Sequence, residues 1–462
     1  MHPTATFDAD LVRRYDVMGP RYTSYPTALQ FDDSYGAADY RRAATRSNRQ
    51  PQPLSVYVHI PFCTSPCFYC GCTRIITRDP LKGKLYLDRL MREIELQAEL
   101  FLPDRKVDQL HFGGGSPTFL AVDDIARLMQ HLDRHFSLLH GETREFSIEI
   151  DPRTVGEQSV AQLATLGFNR ISIGVQDFDE RVQQAVNRVQ SEEETFAVID
   201  SARRAGVRSI NVDLIYGLPF QNAKGFATTL DTILGARPER FAVYSYAHLP
   251  RMFKAQRHIE DEALPDAATK LELLELSIAK LTDAGYVYIG MDHFALPGDE
   301  LVVAQRNGQL QRNFQGYSTR ADCDMIGLGM SAIGKVADTY SQNTKDIAAY
   351  YAALDQGTLP IVRGIALSAE DKLRRGVIQR IMCQGEVTFG DFGFHDKSDF
   401  LRHFSSAETE LQRLETDGLI EIDERRLEVK PAGRLLLRVV AMAFDAYLPQ
   451  TANTSARYSR VV

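Results

Sequence analysis

From about residue 54 the chain alternates between short apolar runs and longer segments whose apolar residues recur at helical spacing. Leu54–His59 is typical of a strand, and Tyr86–Phe101 of an amphipathic helix. Five further strands are predicted at 108–112, 145–150, 170–175, 209–216 and 240–246. Six strand–helix units in series predict parallel strands joined by right-handed crossovers. The pattern therefore favours an α/β fold with a partial (βα)6 TIM-like barrel, and a complete eight-unit barrel is the alternative.

The segments on either side of this alternation have different patterns. Gly19–Thr27 contains two prolines and a glycine, which exclude a helix interior. Asn313–Arg320 is polar and aromatic and predicts a loop. Helices, a hairpin and a further helix near the C-terminus resemble a winged helix. We expect an N-terminal extension covering the site (1–53), the barrel (54–295), a connecting segment that completes the site (296–365) and a mostly α, winged-helix-like domain (366–462).

Composition narrows the class of protein. The 462 residues carry a net charge of −8, and 44% are hydrophobic. No apolar run approaches the ~18 residues of a membrane span, and the N-terminus lacks a basic region followed by an apolar run. The acidic balance and the absence of a basic stripe argue against nucleic acid as a partner. We expect a cytoplasmic protein with reduced thiols, no membrane partner and a monomeric state.

The candidate chemistry is concentrated in four cysteines within ten residues, Cys63, Cys67, Cys70 and Cys72. Structural zinc sites usually use two separated Cys-x2-Cys pairs, and disulfide frameworks are typical of short secreted chains. Three thiolates on one loop suit a four-iron cluster with one open iron. An iron–sulfur cluster is thus favoured, while zinc and inert or redox-active thiols stay open. The spacing assigns no ligand role to Cys72.

The spacing Cys-x3-Cys-x2-Cys resembles the signature of the radical S-adenosylmethionine superfamily. Cys72, the preceding Tyr57–Phe62, the Gly19–Thr27 segment and Asn313–Gly316 resemble one of its families, the oxygen-independent coproporphyrinogen III oxidases of haem biosynthesis. The resemblance implies a [4Fe-4S] cluster, two molecules of S-adenosylmethionine and an electron donor and acceptor that the sequence does not identify. It also implies oxidative decarboxylation of two propionates of coproporphyrinogen III to vinyl groups.

Two polar features follow from the residues themselves. Glu149 alternates with Ser147 and Asp151 on one face of a strand, which predicts a polar barrel interior; a structural ion pair is the alternative. Asp213, on a later strand, is interpreted in the same way, as a polar residue of the barrel interior or as a member of a structural ion pair. Gly113–Ser116 follows a strand but lacks the Gly-x-Gly-x-x-Gly spacing, so we expect close approach of a ligand or a simple tight turn, and no phosphate cradle.

The resemblance also implies roles for single residues. Cys63, Cys67 and Cys70 would hold the cluster. Arg21, Arg312 and Arg320 are our hypothesis for the substrate carboxylates, with solvated surface arginines as the alternative. Cofactor contacts are implied at Tyr57, Tyr69 (where the family usually has Phe), Gly114, Gly115, Ser116, Glu149, Gln176, Arg188, Asp213, Ala247 and Ile333. A related haem chaperone and a zinc-stabilised interaction protein are the rival functions.

Overall fold

The computed structural model describes residues 5–320, 323–448 and 458–461. The chain forms two compact units. The first comprises residues 31–273 and 322–366, and the second comprises residues 1–30, 274–321 and 367–462. The outermost residues of the predicted N- and C-terminal domains, at 1–4, 449–457 and 462, lie outside the described residues. The four-domain division stays a prediction.

The strands are numbered along the chain: β1 Leu54–Ile60, β2 Phe62–Cys63, β3 Ile75–Ile76, β4 Lys106–Gly114, β5 Ser137–Leu138, β6 Glu145–Ile150, β7 Arg170–Gln176, β8 Ser209–Tyr216, β9 Arg240–Ser245, β10 Val287–Gly290, β11 His293–Ala295, β12 Gln311–Asn313, β13 Gly316–Ser318, β14 Asp324–Leu328, β15 Ile333–Val336, β16 Thr339–Asn343, β17 Ile361–Ala366, β18 Glu386–Thr388, β19 Ile420–Ile422 and β20 Arg426–Val429.

The helices are numbered in the same way: α1 Ala9–Tyr15, α2 Ala37–Ser47, α3 Pro80–Ala98, α4 Val122–His135, α5 Glu157–Thr165, α6 Glu180–Ala185, α7 Glu192–Arg204, α8 Ala223–Ala236, α9 Ala267–Asp283, α10 Glu300–Arg306, α11 Ile347–Asp355, α12 Ala369–Gln384, α13 Lys397–His403, α14 Glu408–Thr416 and α15 Leu437–Met442. Among the described residues, no helix combines the length and apolar character that crossing a membrane requires.

The six predicted strands form one parallel sheet in the first unit, in the order β9-β8-β7-β6-β4-β1. The partial (βα)6 barrel is confirmed. In β6, β7 and β8 fully buried positions alternate with half-buried ones, whereas in β1 only Tyr57 is not fully buried. Parallel strands place all their carboxyl ends at one edge, which is where sites of such folds lie.

The sheet also continues past β1, which the sequence did not indicate. β14 pairs in parallel with β1, and β15, β16 and β17 follow as antiparallel neighbours. The segment expected to connect the domains and complete the site therefore contributes four strands to this sheet that the sequence analysis did not predict, and the eight-unit alternative is wrong. β15 has four residues and β16 has five, mostly polar, so neither shows a clear alternation in the sequence.

Helix α3 begins six residues before the predicted start. Asp79 caps it by accepting a hydrogen bond from the Leu81 amide at 3.0 Å, and Pro80 occupies the first helical position. Both are helix-start signals, because proline tolerates this position and aspartate satisfies an orphan amide. The helix buries Tyr86, Leu87, Leu90 and Ile94 as the periodicity predicts, together with the acidic Glu93.

The second unit is mostly helical and packs α12, α13, α14 and α15 around one apolar core. It also holds the three-stranded antiparallel sheet β18-β20-β19. Helices followed by such a sheet match the predicted winged-helix-like part. The predicted loop at Asn313–Arg320 is wrong in part, because β12 and β13 pair there as a hairpin. Gly316 adopts φ 112° at its turn, a conformation that favours glycine.

Candidate active site

A cavity of about 250 Å³ lies at the carboxyl ends of the parallel strands, and the cysteine loop forms part of its wall. Polar residues from the ends of β4, β6 and β7 and from within β8 complete the wall. Eleven residues singled out in the sequence line this cavity: Cys63, Cys67, Tyr69, Cys70, Gly114, Gly115, Ser116, Glu149, Gln176, Arg188 and Asp213. The structure thus brings residues 150 positions apart into one concave surface.

Arg74 holds the cysteine loop in shape. Its guanidinium donates to the carbonyls of Cys70 at 2.8 Å, Cys67 at 3.1 Å and Cys72 at 3.4 Å. Three carbonyls converging on one cation fix the curvature of the loop, because the planar fork of arginine presents several donors in rigid directions. The loop can therefore present its sulfurs to the cavity without a regular secondary structure.

Strand ends anchor the loop from outside. The amides of Gly115 and Ser116 donate to the carbonyls of Ile60 and Phe62, each at 2.8 Å. At the other side, the Asn187 side chain donates to the Pro66 carbonyl at 2.6 Å. These bonds tie the loop to β4 and to the turn after α6, so the cysteines are positioned before any ligand binds.

Cys72 also faces the cavity, and its amide donates to the Cys70 sulfur at 3.4 Å. A hydrogen bond from the Cys72 thiol, aided by the charge of Arg74 and opposed by burial, lowers the pKa of Cys70 to about 6. Burial, followed by the neighbouring Cys70 and Cys67, raises the pKa of Cys63 to about 12. Binding a metal must therefore drive the deprotonation of Cys63.

Two arginines converge on the Cys67 sulfur. Nη2 of Arg153 lies 3.7 Å from it and Nη1 of Arg188 lies 3.6 Å from it. Both guanidiniums also bind Asp151, Arg153 at 2.6 Å and Arg188 at 3.3 Å. Although burial favours the neutral acid, these two cations hold the pKa of Asp151 below its usual value. The surroundings of Cys67 are therefore cationic and suit a thiolate.

Glu149 is prepared as an ionised hydrogen-bond acceptor. His111 Nε2 lies 3.2 Å from its Oε1, and the Gly114 amide donates to its Oε2 at 3.2 Å. Burial opposes ionisation, but these donors keep the pKa of Glu149 below its usual value. His111 is held in turn by Ser147 at 2.5 Å and by the stacked ring of Tyr57. Glu149 thus has a histidine partner, and the cofactor contact and the structural ion pair both stay predictions for it.

Asp213 is a second carboxylate on the cavity wall, and its pKa shifts in the opposite direction. It accepts hydrogen bonds from Ser172 at 3.0 Å and Asn211 at 2.8 Å. Burial, followed by the negative charge of Glu149, raises the pKa of Asp213 to about 6. A cationic or hydroxyl-bearing ligand in the cavity would stabilise the ionised form.

The glycine run after β4 is required by the packing of the chain itself. A Cβ on Gly113 would lie 2.8 Å from Glu149 Oε1, and one on Gly115 would lie 2.8 Å from the Pro61 carbonyl. Gly114 has φ 119°, and a Cβ there would lie 2.7 Å from the His59 ring. Any side chain at these positions would move the carboxylate or the cysteine loop, whatever ligand the run also contacts.

Three predicted cofactor residues lie outside the lining of this cavity. The Tyr57 ring stacks on His111, which in turn contacts Glu149 of the cavity wall. The carbonyl of Ala247 accepts a hydrogen bond from Gln256 at 3.1 Å. Ile333 begins β15, where its carbonyl would lie 2.7 Å from a Cβ on Gly327. Their roles stay predictions.

The three proposed substrate arginines belong to the second unit. Arg21 forms an ion pair with Asp292, and the Arg312 guanidinium lies 4.9 Å from the centre of the Tyr317 ring. The amide of Arg320 donates to Ser318 at 3.1 Å. Arg312 is only 5% exposed, so the alternative of a solvated surface residue is wrong for it. None of the three lines the cysteine cavity.

Arg74 and Arg153 are the site residues that the sequence analysis missed. Both carry a usable signal, because Arg74 follows Cys72 by two residues and Arg153 follows the strand-ending Asp151-Pro152. A basic residue beside a cysteine cluster, or at the end of a barrel strand, predicts a partner for anionic groups in the site.

The sequence and the fold were compared with those of known proteins. The sequence profile of the Radical SAM superfamily matches residues 57–233. The chain is 48% identical to the oxygen-independent coproporphyrinogen III oxidase of Pseudomonas aeruginosa, with 100% of both chains covered. It is 45% identical to that of Escherichia coli, covering 99% of this chain and 98% of the relative. The solved structure of the Escherichia coli coproporphyrinogen III oxidase, described as a radical SAM enzyme, superposes with a TM-score of 0.91 at 44% identity, covering 96% of this chain and 100% of that one.

Proposed function

Because this chain belongs to the oxygen-independent coproporphyrinogen III oxidases, a family of radical S-adenosylmethionine enzymes, we propose that it converts coproporphyrinogen III to protoporphyrinogen IX. In each half of the reaction a propionate becomes a vinyl group, with loss of CO2, two electrons and one proton. The observation that carries the proposal is a loop with Cys63, Cys67 and Cys70 on the wall of a cavity that is also lined by three carboxylates and three arginines. The full-length identity to named oxidases favours this function over a haem chaperone.

The cysteine loop fits a [4Fe-4S] cluster. Cys63, Cys67 and Cys70 supply three thiolates from one rigid bend. The N–H groups of Arg153 and Arg188 near the Cys67 sulfur suit the negative charge of a thiolate-bound cluster. When bound, the cluster and S-adenosylmethionine supply the one-electron chemistry by which a carbon-bound hydrogen atom of the propionate is removed.

The rest of the cavity fits S-adenosylmethionine. Arg188 Nε is buried and lacks a hydrogen-bond partner among the described residues, so it can donate to a ligand carboxylate. Glu149 is ionised and has two hydrogen-bond donors of its own, and it can also accept hydrogen bonds from ribose hydroxyls. The end of β4 at Gly114–Ser116 can contact the methionine part of the ligand. We assign Gln176, Arg188 and Tyr69 to a second molecule and Tyr57 to the first. Asp213 is a further cofactor contact, and Ala247 and Ile333 are adenine contacts.

The substrate carries four carboxylates and therefore needs cations. We assign Arg21, Arg312 and Arg320 to this task. Arg312 supports the assignment, because its Nη1 is buried without a hydrogen-bond partner among the described residues, which is costly unless a ligand uses it. A cytoplasmic location, a monomeric state and the use of external electron carriers complete the proposal.

The test is an anaerobic assay of the protein with its cluster reconstituted. With coproporphyrinogen III, S-adenosylmethionine and a chemical reductant, we expect vinyl product and 5′-deoxyadenosine to form together, while Cys67→Ser forms neither. A preparation with full iron content that releases 5′-deoxyadenosine without vinyl product would reject the substrate. A preparation without iron would reject the cofactor assignment.

A further inference from the structure

A second group of metal-binding side chains lies away from the cysteine cavity, on two helices of the first unit. His131 and His135 occupy adjacent turns of α4, and Glu95 lies on α3. One ligand atom from each of the three residues lies within 4.8 Å of the other two. None of the three lines the cysteine cavity. Two histidines four positions apart on one helix face, with a carboxylate nearby, form a donor set that binds zinc.

The group is held in place by contacts that leave ligand atoms available. His131 Nε2 lies 3.1 Å from the Met91 carbonyl of α3, and since a carbonyl only accepts, Nε2 carries the proton and Nδ1 keeps its lone pair. A carbonyl partner of this kind orients a metal-binding imidazole and fixes its tautomer.

The two carboxylate oxygens of Glu95 contact different residues. Its Oε2 accepts from Arg92 at 2.7 Å, while its Oε1 lies 3.5 Å from His131 Nε2, the protonated nitrogen that also faces the Met91 carbonyl. Oε1 can therefore serve as a single ligand oxygen without breaking the ion pair. The rings of His131 and His135 lie 4.5 Å apart between centroids, so both imidazoles face the same small volume.

We propose that His131, His135 and Glu95 bind one divalent transition-metal ion of the zinc class, which links α3 to α4. Three ligands from two packed helices leave one coordination position for water. The side chains of His131 and Glu95 are 11% and 33% exposed, so the ion enters from solvent while most of its ligands stay fixed. A bound ion would stabilise the folded first unit, because the unfolded chain does not hold the three donors together. The inference does not rest on the proposed function.

The experiment titrates Zn²⁺ into the cluster-loaded protein under anaerobic conditions after removal of loosely bound metal. Bound zinc is measured by equilibrium dialysis, and thermal unfolding is followed in parallel. Keeping the cluster in place occupies the thiolates of the cysteine loop. We expect zinc to bind and to raise Tm, and we expect His135→Gln and Glu95→Gln each to weaken that binding by about tenfold or more.

His140→Gln is the matched control, because His140 is an exposed histidine beyond the end of α4 that pairs with Asp133 and lies outside the group. It should bind zinc and gain Tm like the unmodified chain. The proposal is overturned if the chain binds no zinc beyond what the His135→Gln and Glu95→Gln variants bind. It is equally overturned if His140→Gln loses as much affinity as His135→Gln does. Circular dichroism of each variant, without zinc, verifies that the helices are intact.

Discussion

The buried carboxylate Glu93 makes the stability of the first unit depend on pH, and Glu93→Gln tests this. Glu93 lies on α3 and is 0% exposed. It accepts hydrogen bonds from the Gly329 amide at 2.7 Å, from Asn343 at 2.6 Å and from Tyr350 at 2.6 Å. Tyr86 on the same helix donates to the His59 carbonyl at 2.8 Å, so the pair Tyr86 and Glu93 holds the turn after β14 against β1.

The magnitude follows from the pKa of Glu93. Burial outweighs the hydrogen bonds and raises that pKa from 4.5 to about 7. An acid whose pKa is raised in the folded state binds its proton more tightly there than in the unfolded state. Its contribution to the free energy of unfolding is therefore fully present below about pH 4.5 and is lost as the pH rises through about 7. Two and a half pKa units correspond to about 3 kcal/mol, of which about 2.5 kcal/mol is lost between about pH 5 and pH 8.

The assay is denaturant unfolding of the cluster-loaded chain and of Glu93→Gln at several pH values. Glutamine does not titrate, so the advantage of glutamate over glutamine should shrink by about 2.5 kcal/mol from pH 5 to pH 8. A separate loss of about 1–3 kcal/mol, independent of pH, is expected because the glutamine amide faces the donor of Asn343. Glu99→Gln, at an exposed position just after α3, serves as the control and should run parallel to the unmodified chain. Parallel curves for Glu93→Gln as well would refute the reasoning.

Three further predictions concern the cavity. Cys72→Ala should keep the iron content and the visible absorbance of the cluster, because three other thiolates hold it; loss of either would overturn the three-ligand assignment. Arg153→Gln removes a donor 3.7 Å from the Cys67 sulfur, so we expect a redox titration to show a lower midpoint potential of the cluster at unchanged iron content. The free energy of unfolding should also fall by about 1–3 kcal/mol. An unchanged potential would show that this contact does not tune the cluster. Gly113→Ala places a Cβ 2.8 Å from Glu149 Oε1 and should weaken binding of S-adenosylmethionine about tenfold, or about 1.4 kcal/mol, in equilibrium dialysis. Gly156→Ala, where a Cβ meets no atom within 4 Å, should not reproduce this effect.

The sequence by itself determined the parts of this protein that depend on near neighbours. Strand and helix periodicity predicted the six parallel strands, since each element shows its buried face within its own residues. The spacing of Cys63, Cys67 and Cys70 pointed to a cluster because all three donors lie on one loop. The alternation around Glu149 placed that carboxylate on a polar interior face, and the structure confirms that it lines the cavity.

Only the tertiary structure decided which distant residues meet. Arg153 reaches Cys67 across 86 positions, and Asn343 reaches Glu93 across 250. Neither pairing leaves a periodic trace, because a hydrogen bond requires only that two atoms end up close and not that their neighbours follow a pattern. The same holds for β14 to β17, which are only four to six residues long and join the sheet because β14 pairs with β1 and the other three follow in turn. Local patterns thus specify the elements, whereas the electrostatic environment of the cysteines arises from the packing of those elements around them.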